Sequence, residues 1–261
     1  MAPPPFFTIL TSSLNMGNSL IKTIDSIRSQ RFQAIEHIVV DGKSSDNTRD
    51  ILRFFENSYN LTWISEADKG VPDAFNKGLR LANGLYTIAI QADDYLLNEW
   101  VLEKVYKIIC SRKSDIYSFP IIKEIPGKGN KQINPIRLLW WIRFRNIFPH
   151  QGVFVHKRVF EKIGHFNTTY TITEDYDFFY RALNANCKII FENMPVAFMG
   201  GKGPSSMDRF LVRRLREEFL IQEKNEKNPL WRLLQFLFRI LYYPYKVKST
   251  PCCIGNISKY L

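Results

Sequence analysis

Short apolar runs that recur about one helix apart constrain this chain more than any other feature. Phe6 to Thr11, Glu36 to Val40, Leu61 to Ser65 and Tyr86 to Ile90 read as buried strands. Between them lie stretches with helical apolar spacing. The first is capped by Asn18 or Ser19 and carries Leu20, Ile21, Ile24 and Ile27. The second covers Thr48 to Glu56 behind a Ser45 or Asp46 cap, and the third runs from Pro72 to Leu81. Strands alternating with helices in this way build βαβ units and a mostly parallel central sheet flanked by helices, an α/β fold. In such sheets ligands collect outside the carboxyl ends of the strands, so the polar loops there are where chemistry is expected.

Three such places stand out. Thr11, Ser12 and Asn15 follow the first strand, and Asp41, Ser44 and Asp46 follow the second. A carboxylate at a strand end can accept from a ribose or a base edge, and small hydroxyl residues let a nucleotide approach the backbone. The same residue types make good loops and caps, and Asp46 is read as a cap. Asp93 and Asp94 end the fourth strand. Paired hard oxygen ligands suit Mg²⁺ or Mn²⁺ held against a diphosphate, although an acidic pair after a strand is also an ordinary turn. The third place is Thr173-Glu174-Asp175-Tyr176-Asp177. A carboxylate there either caps a helix or acts as a general base. Glu174 and Asp175 project differently, so one of the two faces a reaction, and Asp175 is the choice.

The remaining chain reads as a helix over Val101 to Ser111, a strand over Ile116 to Ile122 and a flexible polar loop over Pro126 to Asn134. Further strands are expected at Gly152 to Val155 and Ile189 to Phe191, with a helix between them at Tyr176 to Leu183 and a loop at Gly200 to Gly203. Arg137 to Gln151 interleaves Trp140, Trp141, Phe144 and Phe148 with Arg137, Arg143 and Arg145. It fits a core helix with solvated arginines, or a wall against which sugars or lipid stack. No nucleic-acid motif accompanies it, and no nucleic-acid partner is expected.

Charge is uneven. Residues 209–261 hold 11 Lys/Arg against 4 Asp/Glu, a balance of +7, leaving +4 of the total +11 for residues 1–208. Two helices are expected there, Met207 to Lys224 and Leu230 to Tyr243, separated by Asn228-Pro229. The second is mostly apolar, with a narrow polar stripe at Arg232, Gln235, Arg239 and Lys246 that Pro244 should kink. Such a helix suits an anionic membrane surface or packs on the protein. The boundary is therefore drawn as a catalytic domain over 1–206 and a basic amphipathic extension over 207–261. The run MAPPPFFTIL lacks the basic start and apolar core of a leader. Cys110, Cys187, Cys252 and Cys253 show no metal-ligand spacing, and no apolar run reaches the roughly 18 residues of a span. The expected place is the cytoplasm, peripheral on the inner face of the cell membrane.

The order of these segments resembles a family 2 glycosyltransferase with the GT-A fold. The matching stretches are TSSLNMGNSLIKTIDSI, EHIVVDGKSSDNT, ISEADKGVPDAFNKGLRLANG, IQADD, PHQGVFVHKRVFEKIGHFN, TEDYDFFYRAL and MGGKGPSS, within residues 8 to about 206. The resemblance implies that Thr11, Ser12, Asn15, Asp41, Ser44 and Asp68 hold the base and ribose of a nucleotide-sugar. It places Lys77 near base or diphosphate, where a solvated helix lysine is the plainer reading. Asp93 and Asp94 would bind the metal, Asp93 also the ribose, and Asp175 would be the base beside Glu174. Arg181 would orient acidic groups or bind phosphate. His150 and Gln151 would lie on the side of a saccharide or lipid-linked saccharide acceptor, and Trp140 and Trp141 join them on the reading of their segment as a stacking wall. An inverting transfer from a UDP-sugar in cell-surface polysaccharide assembly is the implied activity. Gln91 stands where relatives often have a first Asp, which rests metal binding on Asp93 and Asp94, and Val71-Pro72 replaces a commoner Ile-Tyr. The rival readings are a sugar-nucleotide nucleotidyltransferase, whose Gly-rich basic loop is missing from Thr11 to Asn18, and a catalytically silent membrane-associated scaffold.

Overall fold

A computed structural model describes residues 4–125, 127–200 and 210–248. The first half runs β1 (Phe7–Ser13), α1 (Gly17–Arg28), β2 (Ile35–Asp41), α2 (Thr48–Phe55), β3 (Leu61–Ser65), α3 (Val71–Leu81) and β4 (Tyr86–Ala89). It continues through β5 (Tyr95–Leu96), α4 (Val101–Ser111), β6 (Ile116–Ser118), β7 (Ile121–Ile125) and β8 (Gly129–Ile133). Two 3₁₀ turns, Leu139–Arg143 and His150–Gly152, lead into β9 (Val153–His156) and α5 (Lys157–Ile163). Then come α6 (Glu174–Asn184), β10 (Ile189–Phe191), β11 (Ala197–Met199), α7 (Leu211–Asn225) and α8 (Pro229–Lys248).

The main sheet has the order β10-β6-β9-β4-β1-β2-β3. β1 pairs in parallel with β2 and β4, and β2 with β3. Only β9 runs against its neighbours β4 and β6. Every residue of β2 is buried, and all of β1 except Ser12, as expected for strands covered on both faces. The polar residues in these strands are paired. Glu36 accepts from the Thr8 hydroxyl at 2.5 Å and from the backbone of Asn83 and Gly84 at 2.6 and 2.8 Å. Burial lowers His37 to about 3, so its ring is neutral at physiological pH.

A second sheet, β5-β11-β7-β8, sits beside the first. Here two expectations are corrected. The strand expected over Ile116 to Ile122 is two strands in different sheets, interrupted at Phe119-Pro120, where proline cannot donate to a ladder. The loop expected over Pro126 to Asn134 holds β8, paired antiparallel with β7 from Ile121↔Ile133 to Ile125↔Gly129. Pro126 itself lies outside the described residues.

The C-terminal helices join the body. Ile221 of α7 enters the hydrophobic cluster built on Tyr176, Phe178 and Tyr180 of α6. The Glu226 carboxylate accepts from Arg143 at 2.5 Å and from the Tyr180 hydroxyl at 3.0 Å. α8 continues through Pro244 rather than ending near Tyr243, because Tyr242, Tyr243 and Val247 pack on Leu211 and Leu215. Its polar stripe faces the protein. Arg232 and Arg239 pair with Glu223, and the Gln235 amide donates to the Arg143 carbonyl. Its leucines point away: Leu230, Leu233 and Leu241 are 62, 54 and 76% exposed. Among the described residues no helix is long and apolar enough to cross a membrane. The expected boundary at 206/207, the later part of the Gly200 to Gly203 loop, and Cys252-Cys253 fall outside the described residues.

Candidate active site

A cavity of 610 Å³ opens where β1 and β4 end. Ser12 and Ser13 come from β1, Asp68, Lys69 and Gly70 from the turn before α3, and Gln91, Ala92 and Asp93 from the end of β4. Gly70 takes φ +110°, a backbone position that favours glycine. The far wall is Thr171 and Ile172 before α6, with Phe210 and Arg213 at the start of α7.

Asp93 lines this cleft and Asp94 does not. Asp94 is 1% exposed, and its Oδ1 and Oδ2 accept from the Gly200 amide at 2.9 Å and the Gln151 side chain at 3.0 Å. Burial, reinforced by the neighbouring Asp93 charge, pushes the Asp94 carboxyl up to about 7. A Cβ at Gly200 would stand 2.5 Å from Asp93 Oδ2, so glycine is what lets the 200 backbone close over the acidic pair.

These residues can be tested against a divalent cation. No cluster of three or more His, Cys, Asp or Glu side chains suited to a metal occurs among the described residues. Both Asp94 oxygens are taken by protein donors. Asp93 is the member of the pair that lines the cleft, and it brings a hard oxygen donor to the wall. A single carboxylate completed by substrate phosphates is a usual way to hold Mg²⁺, so the residues fit a cation that arrives with a diphosphate.

Asp175 sits in the first turn of α6. Its Oδ2 accepts from Asn146 at 2.8 Å and lies 3.5 Å from His150 Nδ1, while Oδ1 accepts from the Tyr176 amide at 2.8 Å. Glu174, its neighbour, is buried. Burial and the Asp175 charge raise its carboxyl to about 8, so it carries a proton at neutral pH. Burial acts to lower His150, but the bond to Asp175 and the charges of Asp175, Asp94 and Glu174 outweigh it and the net shift is upward. His150, Glu174 and Asp175 line a 30 Å³ cavity under the sheet end.

The expected site residues divide. Ser12, Asp68 and Asp93 line the cleft. Thr11 is 1% exposed; its hydroxyl donates to the Ile90 carbonyl at 2.6 Å and lies 2.9 Å from His37 Nε2, below the cleft floor. Asp41 is fully buried and accepts from the Ser44 amide and hydroxyl and from Ser65. Ser44 also accepts from the Asn15 amide at 2.7 Å, and Asn15 accepts from the Ser45 amide at 2.9 Å. These four build the loops beside the cleft. Asp46 is a cap, accepting from Thr48 at α2 and from Gly17 at α1, so α1 starts on a borrowed carboxylate rather than on Asn18 or Ser19. Lys77 pairs with Glu66 at 3.0 Å and donates to the Ala67 carbonyl at 2.7 Å, bracing the turn that carries Asp68. Arg181 is held by Asp177 and by the Ile163 and His165 carbonyls. Trp140 stacks on Trp231 and Trp141 meets Phe238 edge-on, so both pack on α8.

Three contributors were not read from sequence. Asn146 orients Asp175. Arg213 reaches the cleft from a helix assigned to an extension. Glu217 of α7 accepts from the backbone amides of Thr171, Ile172 and Thr173 at 3.2, 3.0 and 3.1 Å, fixing the wall before α6. The Arg213–Glu217 spacing of four residues was visible, but any exposed helix pair looks the same.

The family model "Glycosyl transferase family 2" matches residues 8–175. A PGL/p-HBAD biosynthesis glycosyltransferase of Mycobacterium bovis is 30% identical over 220 residues, covering 81% of this chain and 84% of that protein. Among solved structures, S. aureus TarS 1-349 in complex with UDP-GlcNAc gives a TM-score of 0.67 at 19% identity, covering 85% of this chain and 68% of that one. The mannosyltransferase PcManGT from Pyrobaculum calidifontis, in complex with GDP-Man and Mn²⁺, gives 0.69 at 17% identity, covering 100% and 77%.

Proposed function

The chain belongs to glycosyl transferase family 2 and has the GT-A fold, and from that premise we propose an inverting transfer from a UDP-sugar to a saccharide or lipid-linked saccharide in cell-surface polysaccharide assembly. The observation that carries this reading is the split of the acidic pair: Asp94 is locked inward and Asp93 is left on the wall of a 610 Å³ cleft. That cleft is large enough for a nucleotide-sugar. Ser12 and Asp68 bind the nucleotide, with Asn15, Asp41 and Ser44 shaping the loop beside it. A Mg²⁺ or Mn²⁺ ion held by Asp93, when bound, neutralises charge growing on the diphosphate.

Asp175 takes the proton of the acceptor hydroxyl. The hydroxyl oxygen forms its bond to the anomeric carbon from the face opposite the diphosphate, and the carbon–oxygen bond to the diphosphate breaks with its electron pair leaving on that group. Configuration inverts. Asn146 and His150 hold the Asp175 carboxylate in one orientation, and protonated Glu174 keeps a second negative charge away from it. The nucleotidyltransferase and scaffold readings have no comparable support, since the relatives are glycosyltransferases.

The inward-facing Gln235 and Arg239 and the outward leucines of α8, together with the exposed Lys224 and Lys227, support an anionic membrane surface as partner and a peripheral place on the inner face of the cell membrane. The test is a thermal-shift panel of UDP, GDP, CDP and dTDP with and without Mn²⁺, followed by sugar transfer. A Mn²⁺-dependent shift with UDP alone, together with loss of transfer in Asp175→Asn, is expected. A shift with another nucleotide reassigns the donor, and full transfer by Asp175→Asn removes the base.

A further inference from the structure

α7 separates two cavities. Phe210 and Arg213, at its start, face the cleft. Val212, Leu215 and Phe219, at helical spacing on another face, line a second cavity of 590 Å³ closed by Tyr243, Pro244 and Val247 of α8. Among the described residues one charged side chain lines that groove, Arg216, and it is exposed. From Val212 to Phe219 the groove follows α7 for about 10 Å, and Val212 adjoins the cleft residue Arg213 in the chain. The apolar groove and the donor cleft therefore take different faces of the same first turns of α7.

We propose that this groove holds the hydrocarbon chain of a lipid-linked acceptor, with its anionic head beside Arg216 and its sugar carried over the Phe210–Arg213 edge towards Asp175. Three features of the molecule favour a lipid chain over a peptide or a second copy of the protein. The described lining is apolar apart from one cation, which matches a hydrocarbon bearing one anionic group. The groove is continuous with exposed Val212 and Phe219, 43 and 39% exposed, so a chain can slide in from the side. The outward leucines of α8 would hold that helix against the hydrocarbon from which such a chain is drawn. The proposal rests on the transferase reading for its purpose, but the groove can be probed without turnover.

The probe is a dodecyl glycoside carrying a diazirine in its alkyl chain, photolysed with the full-length protein and mapped by peptide mass spectrometry. Labels within 212–219 and 243–247, competed by unlabelled dodecyl glycoside, are expected. Labels confined to the outer leucines of α8, or no competed label, overturn the proposal. So does labelling that appears only after residues 249–261 are deleted, since that segment would then be the occupant.

Kinetics give the second arm. Val212→Ser with Phe219→Ser alters half-exposed positions that need not be filled for folding, which circular dichroism checks. The KM for the dodecyl glycoside should rise at least tenfold, with the KM for the methyl glycoside and UDP affinity unchanged. An equal rise for both acceptors overturns the proposal. Leu233→Ser with Leu237→Ser should weaken binding to phosphatidylglycerol vesicles and leave groove labelling intact. If no acceptor is glycosylated while the groove is still labelled, the transferase reading fails and the binding site stands.

Discussion

Gln151 donates from its side-chain amide to Asp94 Oδ2 at 3.0 Å, and this bond links the cleft floor to the element that supports Asp175. The next residue back, His150, lies 3.5 Å from Asp175 Oδ2. Metal-side and base-side carboxylates are thus joined through two consecutive side chains. Replacing Gln151 with Met should leave Asp94 buried with the Gly200 amide as its remaining donor. A loss of about 1–3 kcal/mol is expected, measured as a lower urea midpoint with an unchanged m-value. Unaltered stability would show that water replaces the amide.

Asp93→Asn keeps the size of the side chain on the cleft wall and removes its charge. Mn²⁺-dependent UDP binding should disappear in calorimetry. Transfer should fall about a hundredfold or more, the scale of several kcal/mol of charge stabilisation. Retention of both would place the cation elsewhere.

Asp175→Asn keeps the shape of the side chain and removes its basicity. Turnover should drop by about 10²–10⁴, with UDP affinity measured by calorimetry within twofold or so of the parent. A matching loss of donor affinity would assign Asp175 to donor binding instead.

Glu174 has a carboxyl raised from 4.5 to about 8 by burial and the Asp175 charge. Its folded pKa lies above its unfolded one, so the folded state keeps a proton that the unfolded chain has lost. The group's contribution is intact below about pH 4.5 and is lost as pH rises towards 8. Glu174→Gln, which cannot ionise, should therefore melt higher than the parent at pH 8.5, by on the order of a few degrees. The two should converge near pH 5. Equal midpoints across scans at both pH values would mean that Glu174 does not hold the proton.

Glu217 fixes the wall that precedes α6 through three backbone amides. Glu217→Ala should cost about 2–4 kcal/mol, since buried donors lose a charged acceptor, read by chemical denaturation. A chain ending at residue 206 should aggregate or show a broad transition by size exclusion and calorimetry, because it loses Ile221, Glu217 and Glu226 together. A cooperative melt in that fragment would support the expected domain boundary.

The central strands were legible because short apolar, β-branched stretches, Ile9-Leu10 within Phe7–Ser13 and Ile38-Val39-Val40 within Ile35–Asp41, recur between helical segments. β8 was not, since its sequence GNKQI is exposed almost throughout and carries no alternation. The three acidic clusters could be read from type and position. Which way each carboxylate turns could not: Asp93 and Asp94 are adjacent and identical, and only the Gly200 and Gln151 donors separate them. Likewise Thr11 and Ser12 are both small hydroxyl residues at a strand end, but strand parity sends one to His37 and the other to the cleft. The tail left two readings open, membrane contact and packing on the protein, for a physical reason. A polar stripe is taken to face water, whereas in α8 it meets Glu223 and the Arg143 carbonyl.

Because Arg213 and Glu217 sit one turn apart on α7, the helix cannot drift without changing both what lines the donor cleft and how the wall before α6 is held. Grafting experiments should respect this. A hybrid that exchanges the first two hundred residues between relatives and keeps the native tail would pair one protein's turn with another's brace. Recombination points that carry the 171–173 turn and α7 as one cassette, with α8 left free to vary, are the ones that should yield active hybrids.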